Sequence, residues 1–247
     1  MNNSKIYVFG IHAVESLLTK QAERVLQLYI LKERQDQKIQ ALIDLAQEKN
    51  IKIEFTPRQQ LDRLVPDEVH QGVVASCRKA HAFTEKDLDN ILEKSPKPFL
   101  LILDGIQDPH NLGACLRSAD AAGVDAVIVP QDKSVGITPT VSKVACGAAE
   151  TVPFIQVTNL ARAMRDIKER GIWLFGAAGE ATQSLYQSDL SGSVGLVLGA
   201  EGQGLRRLTR EHCDMLLNIP MHGTVSSLNV SVATGIFLFE AVRQRTS

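Results

Sequence analysis

The sequence predicts an α/β protein in unequal parts: a small α/β domain over 1–78, a linker over 79–98, and a larger parallel-sheet domain over 99–247. Three observations carry the prediction. From Phe99 onward, short β-rich apolar runs alternate with helical patterns, which is the signature of parallel strands buried on both faces. Before residue 78, strand and helix signals are mixed and polar. Between the two lies KAHAFTEKDLDNILEKSPKP, closed by Pro-Lys-Pro, which blocks a continuing helix and favours extended backbone.

In the first part, YVFGIHAVESLL and VLQLYIL precede a polar amphipathic stretch from Arg34 to Asn50. IKIEFT then alternates with period two, as a half-buried strand does, and HQGVVASC ends the domain. The linker holds one short amphipathic segment. In the second part, FLLILDG, VDAVIVP, TVPFIQV, GIWLFGAA, SVGLVLGA and DMLLNIP read as strands, whereas LGACLRSADAA, TVSKVACGAA and NLARAMRDIKERG read as helices. The last segment, SLNVSVATGIFLFEAVRQR, has helical spacing and a basic end that suits a helix C-terminus.

Composition bounds the function. Of 247 residues 44% are apolar and 22% charged, and no apolar run reaches the roughly 18–20 residues of a membrane span. His12 and Glu15 interrupt the opening apolar positions, so no secretory pattern is read and a cytoplasmic location is expected. A net charge of −1 argues against indiscriminate coating of nucleic acid but leaves room for a local basic patch. Cys77, Cys115, Cys146 and Cys213 lack paired spacing, which favours reduced thiols, and the histidines form no ligand motif, so no metal is expected.

Three glycine-bearing stretches follow strands of the second part. In DGIQDPHNLGACLR, Asp108-Pro109 is a helix-start signal, and Gly113 and Arg117 are four apart, which would leave a ligand room to reach the guanidinium. A capped helix with a solvated arginine is the competing reading. GAEGQG, residues 199–204, is spaced GxxGxG rather than as the dinucleotide fingerprint, so it is either a close-approach loop or a plain turn. In IPMHGTVSSLNVSVATG, Ser226, Ser227 and Asn229 either cap the last helix or face a ligand. In a parallel sheet all three loops gather on one edge and bring Asn111, Arg117, Glu201, Ser227 and Asn229 together. A nicotinamide-dependent dehydrogenase is disfavoured by the missing GxGxxG turn. A non-catalytic RNA-binding protein would not need the Asn111, Arg117 and Glu201 set.

NLGACLR, GAEGQG and IPMHGTVSSLNVSVA resemble, in order, the three motifs of the SpoU/TrmH family of RNA ribose 2′-O-methyltransferases, within the SPOUT superfamily. The similarity spans about 99–245. Upstream, YVFGIHAV and HQGVVA resemble the L30e-like RNA-binding domain of the subgroup that methylates a guanosine ribose in 23S rRNA. The resemblance implies S-adenosylmethionine as donor, 23S rRNA or its precursor as substrate, a homodimer and a C-terminal trefoil knot. General rules alone favour an unknotted sheet. A tRNA or another RNA is the alternative substrate.

Carried over by motif, Gly199, Ala200, Gly202, Ile219, Met221 and Leu228 are the expected donor contacts. Arg117 is expected either as general base or as the group that binds the neighbouring phosphate and stabilises oxyanion charge. Asn111 and Glu201 would position it, and Ser227 and Asn229 would position nucleoside or donor. Arg206, Arg207 and Arg210 are expected phosphate contacts or a solvated helix face. His12, Lys32, Arg34 and Arg58 are weaker RNA candidates in the first domain.

Overall fold

The computed structural model describes residues 5–34, 36–78 and 83–246. It divides into two compact units, Met1–His81 with Cys146–Thr151, and Ala82–Ala145 with Val152–Ser247.

The first unit runs β1 (Lys5–Phe9), α1 (Ile11–Lys20), β2 (Val25–Leu31), α2 (Gln37–Glu48), β3 (Ile53–Thr56), α3 (Arg58–Leu64) and β4 (Val73–Arg78). Its sheet has the order β1-β4-β2-β3, with β2 and β3 parallel and β4 antiparallel to both its neighbours. The stretch read as amphipathic becomes α2 because Asp36 caps it, accepting from Lys38 N and Ile39 N. Val14, Leu17 and Leu18 of α1 and Ile39 and Leu42 of α2 bury one face of the sheet against Leu28 and Ile30. Leu61 of α3 covers the other face at Tyr29 and Val74.

The amphipathic segment in the stretch expected as a linker folds as α4 (Asp87–Lys94). Its Leu88 and Leu92, one turn apart, join the core of the second unit. Arg162 and Arg170 hold the same segment through Glu85 and Asp89. The second unit continues with β5 (Phe99–Asp104), α5 (Pro109–Ala122), β6 (Ala126–Pro130) and α6 (Pro139–Ala145). TVSKVACGAA, expected as one helix, breaks in two: Cys146 and Gly147 take φ of 51° and 96°, and α7 (Ala148–Thr151) follows, grouped with the first unit.

Then come β7 (Phe154–Val157), α8 (Leu160–Glu169), β8 (Trp173–Ala177), β9 (Gln183–Ser184), β10 (Val194–Gly199), α9 (Arg207–His212), β11 (Met215–Asn218) and α10 (Val230–Arg245). The sheet is parallel throughout, in the order β7-β6-β5-β10-β8-β11-β9. Six strands coincide with the six apolar runs. The seventh, β9, is only two residues long and has no periodicity to betray it. Leu100, Ile102 and Val197 face α8 and α4, while α10 packs on α5 and β10. Because every strand is parallel, the loops after β5, β10 and β11 leave from the same edge.

Candidate active site at the carboxyl edge of the parallel sheet

The junction after β5 is internally complete. Asp108 caps α5 by accepting from His110 N at 3.0 Å, Pro109 occupies the first turn, and Gly123 ends the helix in the left-handed region. Gly113 does not leave space for a ligand. A Cβ there would lie 2.7 Å from Val144 Cβ and 3.0 Å from Val141 O, so its bareness admits α6. Gly113 is buried while Arg117 is exposed, so the shared face read from their spacing divides into a packing position and a solvent position. Asn111 and Arg117 are six residues apart on α5. That is about 9 Å along the axis and roughly two-thirds of a turn around it.

The loop after β10 doubles back on itself. Gly204 N donates to Ala200 O at 2.8 Å, and a Cβ on Gly199 would sit 2.1 Å from the Gly204 carbonyl, so only glycine fits there. The turn is pinned from below by Asp104, whose side chain is fully buried at the end of β5. Arg206 donates its backbone N to Asp104 Oδ2 at 2.9 Å and its Nε to Oδ1 at 2.6 Å. A buried carboxylate that accepts several charge-assisted bonds is a strong anchor. Arg207 pairs with Glu211 at 2.6 Å and Arg210 with Glu180, so each arginine expected to meet phosphate already holds a carboxylate.

The loop after β11 differs. Residues 220–227 are exposed, Ile219 and Leu228 half-buried, and among the described residues 219–228 make no backbone hydrogen bond within the chain. Its main-chain donors and acceptors are available to a ligand. The loop ends on Asn229, which both caps and reaches out. Asn229 Oδ1 accepts from Ser231 N at 2.9 Å and Ser231 Oγ at 2.6 Å.

That cap orders the amides around it. A backbone N–H can only donate, so Asn229 must turn its Oδ1 to the helix and its Nδ2 outward. Nδ2 donates to Asn111 Oδ1 at 3.0 Å and lies 3.4 Å from Glu201 Oε2. Asn111 then presents its own Nδ2 to Glu201 Oε2 at 3.5 Å. One residue from each loop thus meets in a single network. Ser227 is exposed on the third loop, two residues before Asn229.

The donor that the resemblance implies fits these loops. In the Gly199–Gly204 turn a Cβ on Gly202 or Gly204 would meet nothing within 4 Å, and 219–228 supply unpaired main-chain groups beside Met221, which is 37% exposed. Gly199 closes β10, and Ala200, Gly202, Ile219, Met221 and Leu228 lie on these two loops. Among the described residues no group of three or more His, Cys, Asp or Glu could hold a metal ion, and no helix is long and apolar enough to cross a membrane.

In the first unit, His12 stands 3.8 Å from Glu15, and Arg58 3.9 Å from Asp62. Arg34 Nε donates to Asp36 Oδ2 at 2.5 Å, and its Nη1 donates to Gln71 O. The arginine bond, before other causes, holds the Asp36 carboxyl below its usual range. Lys32 and Arg34 both line a cavity of this unit. Sequence reasoning missed Asp104, although a carboxylate closing the wholly apolar run FLLIL is itself a signal, because a charge there must have a buried partner.

Residues 98–239 match the SpoU rRNA Methylase family, and residues 7–83 match the RNA 2′-O ribose methyltransferase substrate binding family. A curated relative from Shewanella oneidensis, the 23S rRNA (guanosine-2′-O-)-methyltransferase RlmB, is 59% identical over 240 residues, 97% of this chain and 98% of that protein. A crystal structure of an RNA 2′-O ribose methyltransferase is similar with a TM-score of 0.77 at 25% identity, covering 99% of this chain and 90% of that one. The SpoU methyltransferase AviRb of Streptomyces viridochromogenes, in complex with the cofactor AdoMet, shares the fold at a TM-score of 0.75 and 24% identity, over 98% and 91% of the two chains.

Proposed function

The chain belongs to the SpoU rRNA methylase family, and from that premise we propose that it methylates the ribose 2′-hydroxyl of a guanosine in 23S rRNA. The observation that carries the reading is the joining of Asn111, Glu201 and Asn229, one from each loop, beside a loop whose main chain is unpaired. The guanosine and the 23S rRNA are supported by the Shewanella oneidensis relative.

S-adenosylmethionine, when bound, supplies a methyl group on a sulfonium that needs no further activation. Gly199, Ile219 and Leu228 would hold it, with Ala200, Gly202 and Met221 beside them. The chain's task is then alignment, and well-oriented reactants gain up to about 7–11 kcal/mol from that alone. Asn111 and Asn229, held by Glu201, orient the ribose, and Ser227 adds a hydroxyl on the same loop. Arg117 offers a planar guanidinium with five donors. It binds the phosphate beside the target ribose and stabilises negative charge developing on the 2′-oxygen as the hydroxyl proton passes to solvent water.

The knot is supported by strand order: β10 enters between β5 and β8, and β11 between β8 and β9, before α10 packs on α5. A homodimer is supported by α10, which packs on α5 and β10 yet leaves Val232 50% and Phe239 49% exposed. With 23S rRNA as substrate, the enzyme acts in the cytoplasm. An RNA-binding role for 1–78 and catalysis by 99–247 are supported by the two family matches.

The test is to incubate the protein with methyl-labelled S-adenosylmethionine and total RNA from cells lacking the activity, then map the label. Label on the ribose of one 23S rRNA guanosine is expected. No label in any RNA, or label on a base, overturns the reading.

A further inference from the structure

The two first-unit motifs, YVFGIHAV and HQGVVA, converge on one turn. His70 is buried, and its Nδ1 accepts from Gly72 N at 3.0 Å, so its Nε2 carries the proton and donates to Asp62 Oδ1 at 3.1 Å. The turn so held presents Gln71, whose Oε1 accepts from Ile11 N at 3.0 Å at the start of α1. Gln71 O accepts from Arg34, and Gly72 lets that arginine lie close, since a Cβ there would meet Arg34 Cδ at 2.8 Å. Both motifs therefore serve to fix Arg34.

What Arg34 is fixed beside is a cavity of ≈ 500 Å³ lined by Lys32, Arg34, Ile39, Gln40, Ile43 and Phe55. Phe55 pairs in register with the buried Ile30, so it lies on the helix-covered face of the sheet. It sits on the edge strand β3 and stays 51% exposed, an unusual position for a ring next to a core. Ile39 and Ile43 of α2 make an apolar floor, and among the described residues no carboxylate lines the cavity, although Asp36 engages Arg34 Nε from beside it and leaves the guanidinium Nη2 to the rim. An open aromatic face, an apolar floor and two cations on the rim match an unstacked base and its phosphate. The volume is of the size that takes one such group.

We propose that this cavity binds one unpaired nucleobase of the RNA substrate, stacked on Phe55, with the adjoining phosphate on Lys32 and Arg34. The proposal rests on the RNA methylation reading and names where the first unit grips the strand. Bases stack on aromatics with little regard to sequence, so the site adds grip and position rather than choice of nucleotide.

The test measures affinity of the full-length protein for a protein-free 23S rRNA transcript by filter binding. Phe55→Ala and Phe55→Leu should each raise Kd about tenfold, and Phe55→Trp should restore it, while S-adenosylmethionine affinity stays unchanged in all three. Leucine keeps apolar volume without a π-face, so it separates stacking from packing. Lys32→Ala should reduce the salt slope of log Kd by about one. Wild-type affinity in both Phe55→Ala and Phe55→Leu, with methylation by the wild type intact, overturns this site alone. A wild type that methylates no RNA overturns the functional reading and the site with it. Saturable binding of free GMP that is lost in Phe55→Ala marks a mononucleotide site instead and also overturns it.

Discussion

The β5–α5 junction and the β11–α10 loop end side by side and are built on opposite plans. The junction satisfies its own backbone: Asp108 caps, Pro109 removes a donor that would have no partner, and Gly113 locks α5 onto α6. The loop satisfies almost nothing within the chain until Asn229 closes it. A self-complete element holds reacting side chains in fixed positions, whereas an incomplete one keeps its main chain for a ligand. On the proposed function, the ribose side of the reaction falls to the first and the donor side to the second.

The largest expected effect falls on the chemistry proposed for the junction. Arg117→Ala should lower kcat about 10²–10³-fold while leaving S-adenosylmethionine affinity in place, as steady-state kinetics and calorimetry would read. Near-normal turnover would remove Arg117 from the reaction. Next is the anchor beneath the second loop. Asp104→Ala removes charge-assisted bonds to Arg206 and should cost about 1.5–3 kcal/mol of stability, with weakened donor binding. A loss of stability without any change in donor affinity would separate the anchor from the loop's function.

Gly113→Ala should cost about 1–3 kcal/mol by overpacking against Val144, and Val144→Ala should recover most of it in a thermal denaturation cycle. Absence of recovery would return Gly113 to the ligand side of the comparison. Asn229→Asp keeps the cap oxygen for Ser231 but loses the donor to Asn111 and brings a second charge to Glu201. Turnover should fall about tenfold, near 1.4 kcal/mol, with little change in Tm. The smallest effect is chemical. Burial pushes the Cys77 and Cys115 thiols up to about 11 and the Cys213 thiol to about 12. Folded protein at pH 8 should therefore leave all three unlabelled by a thiolate-directed reagent, and labelling should rise only on unfolding or at pH above those values.

The fold was legible wherever burial imposes a pattern. Apolar runs marked the six longer parallel strands of the second unit, because both faces of that sheet are covered. The pattern fails where a feature depends on partners distant in sequence. β9 is recognised only through its pairing with β11, and the break at Cys146 and Gly147 interrupts a helical periodicity that the residues themselves support. The gathering of three loops at one sheet edge was legible, as were the residue types they carry. The network among Asn111, Glu201 and Asn229 needed coordinates, since the cap on Ser231 is what turns each amide. Arg206 read as a surface cation because nothing local shows that Asp104, 102 positions earlier, lies buried beneath it.

Hydrogen exchange with and without S-adenosylmethionine tests the comparison most directly. Saturation with the donor should slow exchange at amides of 219–228 and the Gly199–Gly204 turn, and leave the first turn of α5 unchanged. Protection confined to α5, or none at 219–228, would contradict the assignment of the donor to the unpaired loop.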